Sequence, residues 1–277
     1  GAKADGNEAT ALGYGSNASG WSSFAQGSSA LASGDKSISI GDSSKATADR
    51  SIAIGDEAST DNQSASNTST TKTQTNRQSV AIGPRTQAWG DQSTAIGNNV
   101  KSSGNSSVAI GGDDIVIVKS QYEGLYQSIT GQAMPSGYPA TESAGGASVA
   151  VGVGASSQGQ FSTAIGMTSN SSGDGAVAIG PTANASGLAG VAVGIQSKAS
   201  NNYTTAIGSV ATATGENATA IGGKASATSE GAQALGYQSN ASGYQSNAIG
   251  QNANASGKFS MALGADSVAQ GIDSAAI

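Results

Sequence analysis

A glycine that returns every fourteen residues, each time behind a short apolar run such as Ser-Val-Ala-Ile, constrains this chain more than any other feature. It stands at Gly13, Gly27, Gly41 and Gly55, at Gly83, Gly97 and Gly111, and then at Gly152 and each fourteenth residue through Gly264. Seven residues after most of these comes a second glycine, as at Gly20, Gly90, Gly159, Gly243 and Gly257. A period this short predicts a solenoid in which each repeat is one coil stacked on the last. With aromatics at 4% and 41 glycines, the composition alone would suggest disorder, but disorder does not demand Ile-Gly at one fixed spacing.

The residue two before the main glycine is Ala in fifteen of sixteen copies, Ser39 being the exception. Residues three and five after it are also small, as in Ala211 and Ala213 or Ala253 and Ala255. Because strand side chains alternate between faces, these positions line the inside of a thin coil made of two short strands. The other parity carries the bulk. Directly before the glycine stand Ile40, Ile54, Ile82, Ile96, Ile110, Val151, Ile165, Ile179, Val193, Ile207, Ile221, Leu235, Ile249 and Leu263, with Val80, Val108, Val149, Val177 and Val191 two residues earlier. The glycines themselves are expected to supply positive φ or close backbone approach at the turns.

A solitary chain would expose these aliphatic residues as a stripe far larger than the few hundred Å² that soluble monomers tolerate. Each such side chain is worth roughly 1.5–3 kcal/mol when buried. The stripe therefore predicts a homo-oligomer whose copies share an apolar axis, with folding and assembly coupled.

The rhythm lapses twice within what otherwise reads as a single solenoid domain over residues 1–277. The polar stretch at 60–77 is two periods from Gly55 to Gly83 and reads as a loop, or as one degraded coil; it lacks apolar residues at the core positions. The stretch at 112–146 is a true insertion, because the 41 residues from Gly111 to Gly152 are not a multiple of fourteen. It holds Asp113, Asp114, the run Ile115 to Val118, Tyr122, Glu123, Tyr126 and Tyr138. Aromatic and acidic residues on a loop carried by a rigid scaffold are candidates for ligand contact. The alternative is an extra strand at 115–118 packed on the roll, with the tyrosines covering it. Trp21, Trp89, Phe161 and Phe259 lie near the second glycine, where they either cap the outer turn or pack between neighbouring chains.

Catalytic and cofactor chemistry finds no support in the chain. There is no histidine and no cysteine, which removes the usual neutral-pH base and the commonest metal ligands. Gly152-Val153-Gly154 is a repeat turn rather than a dinucleotide loop. Neither the calcium-binding nonapeptide nor a groove of paired carboxylates is present, so no enzyme activity, cofactor or metal is expected. A net charge of −6 with 12 scattered Lys and Arg gives no stripe for nucleic acid. A row of Thr94, Thr163, Thr205 and Thr219 raises an ice-binding solenoid, but Gln233 and Asn247 interrupt it. No apolar stretch approaches the length needed to span a bilayer as a helix, so if this protein sits in a membrane its anchor is on a part not included in this chain.

The units Ser79-Val80-Ala81-Ile82-Gly83, Ser107-Val108-Ala109-Ile110-Gly111 and Ser148-Val149-Ala150-Val151-Gly152, each leading into a small-residue half-turn, resemble the head repeats of YadA-like trimeric autotransporter adhesins. The insertions are similar to those of the ubiquitous surface protein A type. The resemblance implies a left-handed parallel β-roll and assembly as a homotrimer. It further implies display on the surface of a Gram-negative bacterium through a C-terminal outer-membrane anchor. Such heads bind extracellular-matrix proteins (fibronectin, collagen, laminin) or host-cell receptors. A spacer or self-association module without a host ligand is the rival reading.

Overall fold

A computed structural model describes residues 1–60 and 78–277. The chain divides into two compact units, Gly1–Asp114 with Tyr138–Gly154, and Ile115–Gly137 with Ala155–Ile277. Both are stacks of parallel coils. Each coil contributes a strand of about three residues ending at or beside the main glycine, such as Ile38–Ile40 or Val177–Ile179, and a shorter one beginning about four residues after it, such as Lys45–Ala46 or Asn184–Ala185.

Pairing runs in register with the repeat. In the first unit Ile38, Ser39 and Ile40 face Ile52, Ala53 and Ile54; in the second Val177, Ala178 and Ile179 face Val191, Ala192 and Val193. The shorter strands form a second parallel ladder, with Asn184 beside Lys198 and Ala185 beside Ala199. Each unit is thus a β-solenoid of two parallel sheets, as the spacing predicts.

The interior is alanine interspersed with serine. Ala206, Ala213, Ala220 and Ala227 are fully buried between the two sheets. Backbones this close leave little room for larger side chains, Val100 being a fully buried exception, so most of the core consists of methyl groups, small hydroxyls and backbone hydrogen bonds. Where two serines stand five residues apart inside a coil, their hydroxyls pair. Ser39 Oγ lies 2.7 Å from Ser44 Oγ, and Ser157 Oγ lies 2.6 Å from Ser162 Oγ. These paired hydroxyls thereby avoid the desolvation cost of an unpaired polar group, whereas Ser23 Oγ, Ser37 Oγ, Ser93 Oγ and Ser260 Oγ are buried without a hydrogen-bond partner.

The two glycines of a repeat serve different needs. Gly250 has φ +133°, and a Cβ there would also fall on the carbonyl of Gly264 in the next coil. Gly243 has no positive φ, yet a Cβ would fall on the carbonyl of Gly257. The left-handed residue of each corner stands two places after the glycine and need not be glycine, as at Thr182 (φ 56°), Asn252 (φ 56°) and Phe259 (φ 58°). Its amide donates to the preceding coil, Asn252 N to Tyr237 O at 2.9 Å and Phe259 N to Tyr244 O at 2.8 Å. Those bonds offset the cost of the conformation.

At the turns after the second glycine, Asp and Asn side chains form a further ladder. Asp35 Oδ1 accepts from Trp21 N at 3.0 Å, Asp49 Oδ1 from Asp35 N at 3.1 Å, and Asp174 Oδ1 from Gln160 N at 2.8 Å. These carboxylates bond backbone amides of the neighbouring coil.

The interruptions resolve differently. Ile52–Ile54 pairs directly with Val80–Ile82, so these strands are adjacent rungs of one ladder. Apart from Thr60, the stretch at 60–77 lies outside the described residues. The insertion is shorter than the 112–146 read from the sequence, because Thr141–Ser143 already pairs with Val100–Ser102. Thr141 Oγ1 sits 2.9 Å from Gly112 O and 2.6 Å from Gly152 O, tying both sides of the excursion to the coil. The excursion is neither a loop throughout nor a strand at 115–118. It contains helix α1, Ile115–Thr130.

Candidate functional site

Four consecutive β-branched residues suggest a strand at 115–118, but the residues after them carry helical spacing. Ile115, Tyr126 and Thr130 are buried along α1, and Lys119 and Glu123 pair at 3.5 Å one turn apart. Docking thus outweighs the weak intrinsic preference of Ile and Val. Gly131 ends the helix with φ 73°, its amide donating to Gln127 O at 2.8 Å. The chain then folds back. Lys119 Nζ donates to Met134 O at 2.9 Å, and Met134 N donates to Glu123 Oε1 at 3.1 Å.

Helix α1 lies over coil turns of its own unit. The Tyr126 hydroxyl is 2.9 Å from Thr182 Oγ1, and Gln196 Nε2 donates to Gln132 Oε1 at 2.7 Å. Between helix and turns runs an apolar groove enclosing about 240 Å³, lined by Val118, Tyr122, Leu125, Tyr126, Ile129 and Met134 on one side and by Met167, Pro181 and Ile195 on the other. The last three are the residues directly after successive main glycines. Elsewhere in the unit that position holds Ser209, Gly223, Tyr237, Gln251 or Ala265. A local rise in apolar character there was the available sequence signal for a packed element, and spacing arguments centred on the strands passed over it.

The six candidate contact residues do not form one cluster. Asp113 is buried, its two carboxylate oxygens accepting from Asn98 Nδ2 at 3.1 Å and Asn99 Nδ2 at 3.2 Å. Tyr126 is only 4% exposed and holds the helix down. Glu123 is engaged with Lys119 and Met134. Asp114 is half-buried and immediately precedes the helix. Tyr122 and Tyr138 are exposed, in the second and first unit respectively.

The aliphatic stripe is where its parity predicts. Ile82, Ile110, Ile165, Ile179, Ile207, Ile221, Ile249 and Leu263 are each 36–39% exposed along one sheet face of their unit. Ile40, Ile54, Ile96, Val151, Val193 and Leu235, and the valines at 80, 108, 149, 177 and 191, are half-buried on the same parity. The shorter-strand face is polar, with Asn240 Nδ2 donating to Asn254 Oδ1 at 3.1 Å across coils.

Of the turn aromatics, Trp21, Phe161 and Phe259 are exposed and Trp89 is half-buried, and Trp21 and Phe259 associate with lysines. Lys36 Nζ lies 4.6 Å from the Trp21 ring centre, and Lys258 Nζ lies 4.8 Å from that of Phe259, which meets Tyr244 edge to face at 5.6 Å. Among the described residues, no group of three or more acidic or metal-ligating side chains could hold a metal ion, and no helix is long and apolar enough to cross a membrane.

No match is found among curated proteins. Among solved structures, the chain is similar to the collagen-binding domain of the Yersinia adhesin YadA, at 20% identity over 72% of this chain, with a TM-score of 0.21. The match covers 65% of that domain, so the chain spans less than two thirds of this relative's length. Matches to the YadA head domain repeat fall at residues 4–31, 32–58, 75–99 and 143–169, and then in overlapping or adjoining segments from 171 to 277. They leave out 59–74 and 100–142, where the glycine rhythm lapses or the helix is inserted. On matches covering most of its length, the chain belongs to the YadA head domain repeat family.

Proposed function

We propose that this chain is a non-enzymatic head of a bacterial cell-surface adhesin. It binds a host extracellular-matrix protein such as collagen, fibronectin or laminin, or a host-cell receptor. The head acts as a homotrimer, carried on the outer membrane of a Gram-negative bacterium by a C-terminal part. The observation that carries this reading is the aliphatic stripe on one sheet face of a solenoid whose opposite face is polar. Burying that stripe between copies presents identical polar and turn surfaces several times over, and multivalency raises affinity without any new contact. Within the insertion, Tyr122 and Tyr138 are the accessible contact candidates, with Asp114 just before α1 and Glu123 on it, while Asp113 and Tyr126 hold the structure.

The test is binding of the purified chain to immobilised collagen, fibronectin and laminin, with and without residues 112–138. Binding that falls about tenfold on deletion supports the insertion as a contact site. Unchanged binding removes it from the contact. Cell clumping with no affinity for any matrix protein or host cell would assign the head to self-association instead.

A further inference from the structure

The groove beside α1 and the aliphatic stripe are contiguous. Ile165 and Met167, Ile179 and Pro181, Val193 and Ile195 are each separated by a single glycine. The first of each pair stands on the sheet face and the second lines the groove. Anything that covers the stripe in this unit therefore reaches the mouth of the groove. In the oligomer proposed above, on which this inference rests, a second copy of the chain covers the stripe.

Symmetry narrows which part of that copy arrives. Rotation about an axis parallel to the stack keeps each coil level with the same coil of the other copies. Head-to-tail packing then sets the turn after a strand in one copy beside the turn before the same strand in the next. Met167 follows the strand Thr163–Ile165, and Phe161 precedes it. Phe161 is 73% exposed and takes a left-handed backbone, φ 57°. At the equivalent place in the next two coils stand Gly175 and Ala189, opposite Pro181 and Ile195. One large ring followed by two small residues therefore meets the groove. The groove's 240 Å³ exceeds the roughly 150 Å³ of an engineered cavity that holds benzene.

We infer that helix α1 and the turns at Met167, Pro181 and Ile195 form an intersubunit socket that receives the Phe161 ring of a second copy. The insertion then locks the level at which copies pack, which a uniform fourteen-residue repeat cannot do alone, since a slip of one coil would leave the stripe equally covered.

The chain has no cysteine, so a disulfide reports the contact directly. A Phe161→Cys, Leu125→Cys double variant is oxidised mildly and run on a denaturing, non-reducing gel, beside each single variant; Leu125 is 61% exposed on the groove wall. Light scattering of the unmodified and reduced variant proteins gives their masses. The socket predicts covalent species of two and three chains in the double variant only. An oligomer of unchanged mass that yields no linked chains overturns the socket and leaves the oligomer standing. A monomeric unmodified protein overturns both. Loss of the oligomer in the variants alone supports the socket, because both side chains are exposed in a separate chain.

Discussion

The hydroxyl of Tyr126 on helix α1 lies 2.9 Å from Thr182 Oγ1, linking the insertion to a coil turn 56 residues further along the chain. Thr182 Oγ1 also lies 2.7 Å from Pro181 O, so it keeps a partner when the tyrosine hydroxyl is removed. Tyr126→Phe is expected to cost about 1 kcal/mol of helix docking, and Tyr126→Ala, which also empties the space under the ring, about 3–5 kcal/mol. Hydrogen exchange checks this. Amides of 115–130 should exchange about fivefold faster in the first variant, with amides of the coils at 205–263 unchanged in both.

The paired hydroxyls inside the coils make a second prediction. Ser44 Oγ has Gly41 O at 3.1 Å as well as Ser39 Oγ, so Ser39→Ala leaves no orphan and restores the commonest residue of that row. Its denaturation midpoint should match the parent within the equivalent of about 0.5 kcal/mol. Ala206→Val places two extra methyl groups between sheets with no space for them and should destabilise by about 1–3 kcal/mol or more.

The glycines can be separated by what blocks them. Gly243→Ala should lower the melting temperature by several degrees, because its Cβ meets the carbonyl of Gly257. Gly131, although its φ is +73°, has nothing within 4 Å of a built Cβ. Gly131→Asn, a residue that tolerates the left-handed region, should leave the melting temperature unchanged within about 2 °C. Equal losses in the two variants would contradict the distinction.

Charging the stripe tests what covers it. Ile179 and Ile207 are 37% and 38% exposed in the single chain, so Ile179→Glu with Ile207→Glu has little reason to unfold a coil. Buried between copies, two carboxylates per chain would cost several kcal/mol. The expected result is monomer mass by light scattering with the β-sheet circular dichroism signal retained.

The solenoid, its fourteen-residue register, the alanine interior and the outward aliphatic row were legible before any coordinates, because each is a local consequence of parity and spacing. A strand that alternates Ala with Ile has only one way to serve a thin coil, and Ala206 inside with Ile207 outside follows from it. Helix α1 was not legible from Ile115 to Val118, where four β-branched residues favour a strand. The deciding contacts lie elsewhere in the chain, at Thr182 and Gln196. The burial of Asp113 was not legible for the same reason. Asp113 as a residue type suggests an exposed ligand, whereas Asn98 and Asn99 fold over it.

The sequence alone therefore determined the repeat and its two faces, since periodicity acts residue by residue along the chain. Only the tertiary structure decided that the insertion is a helix, that it seats on Met167, Pro181 and Ile195, and which tyrosine is structural. Those outcomes depend on which distant turns the excursion meets, and no spacing within the excursion encodes that.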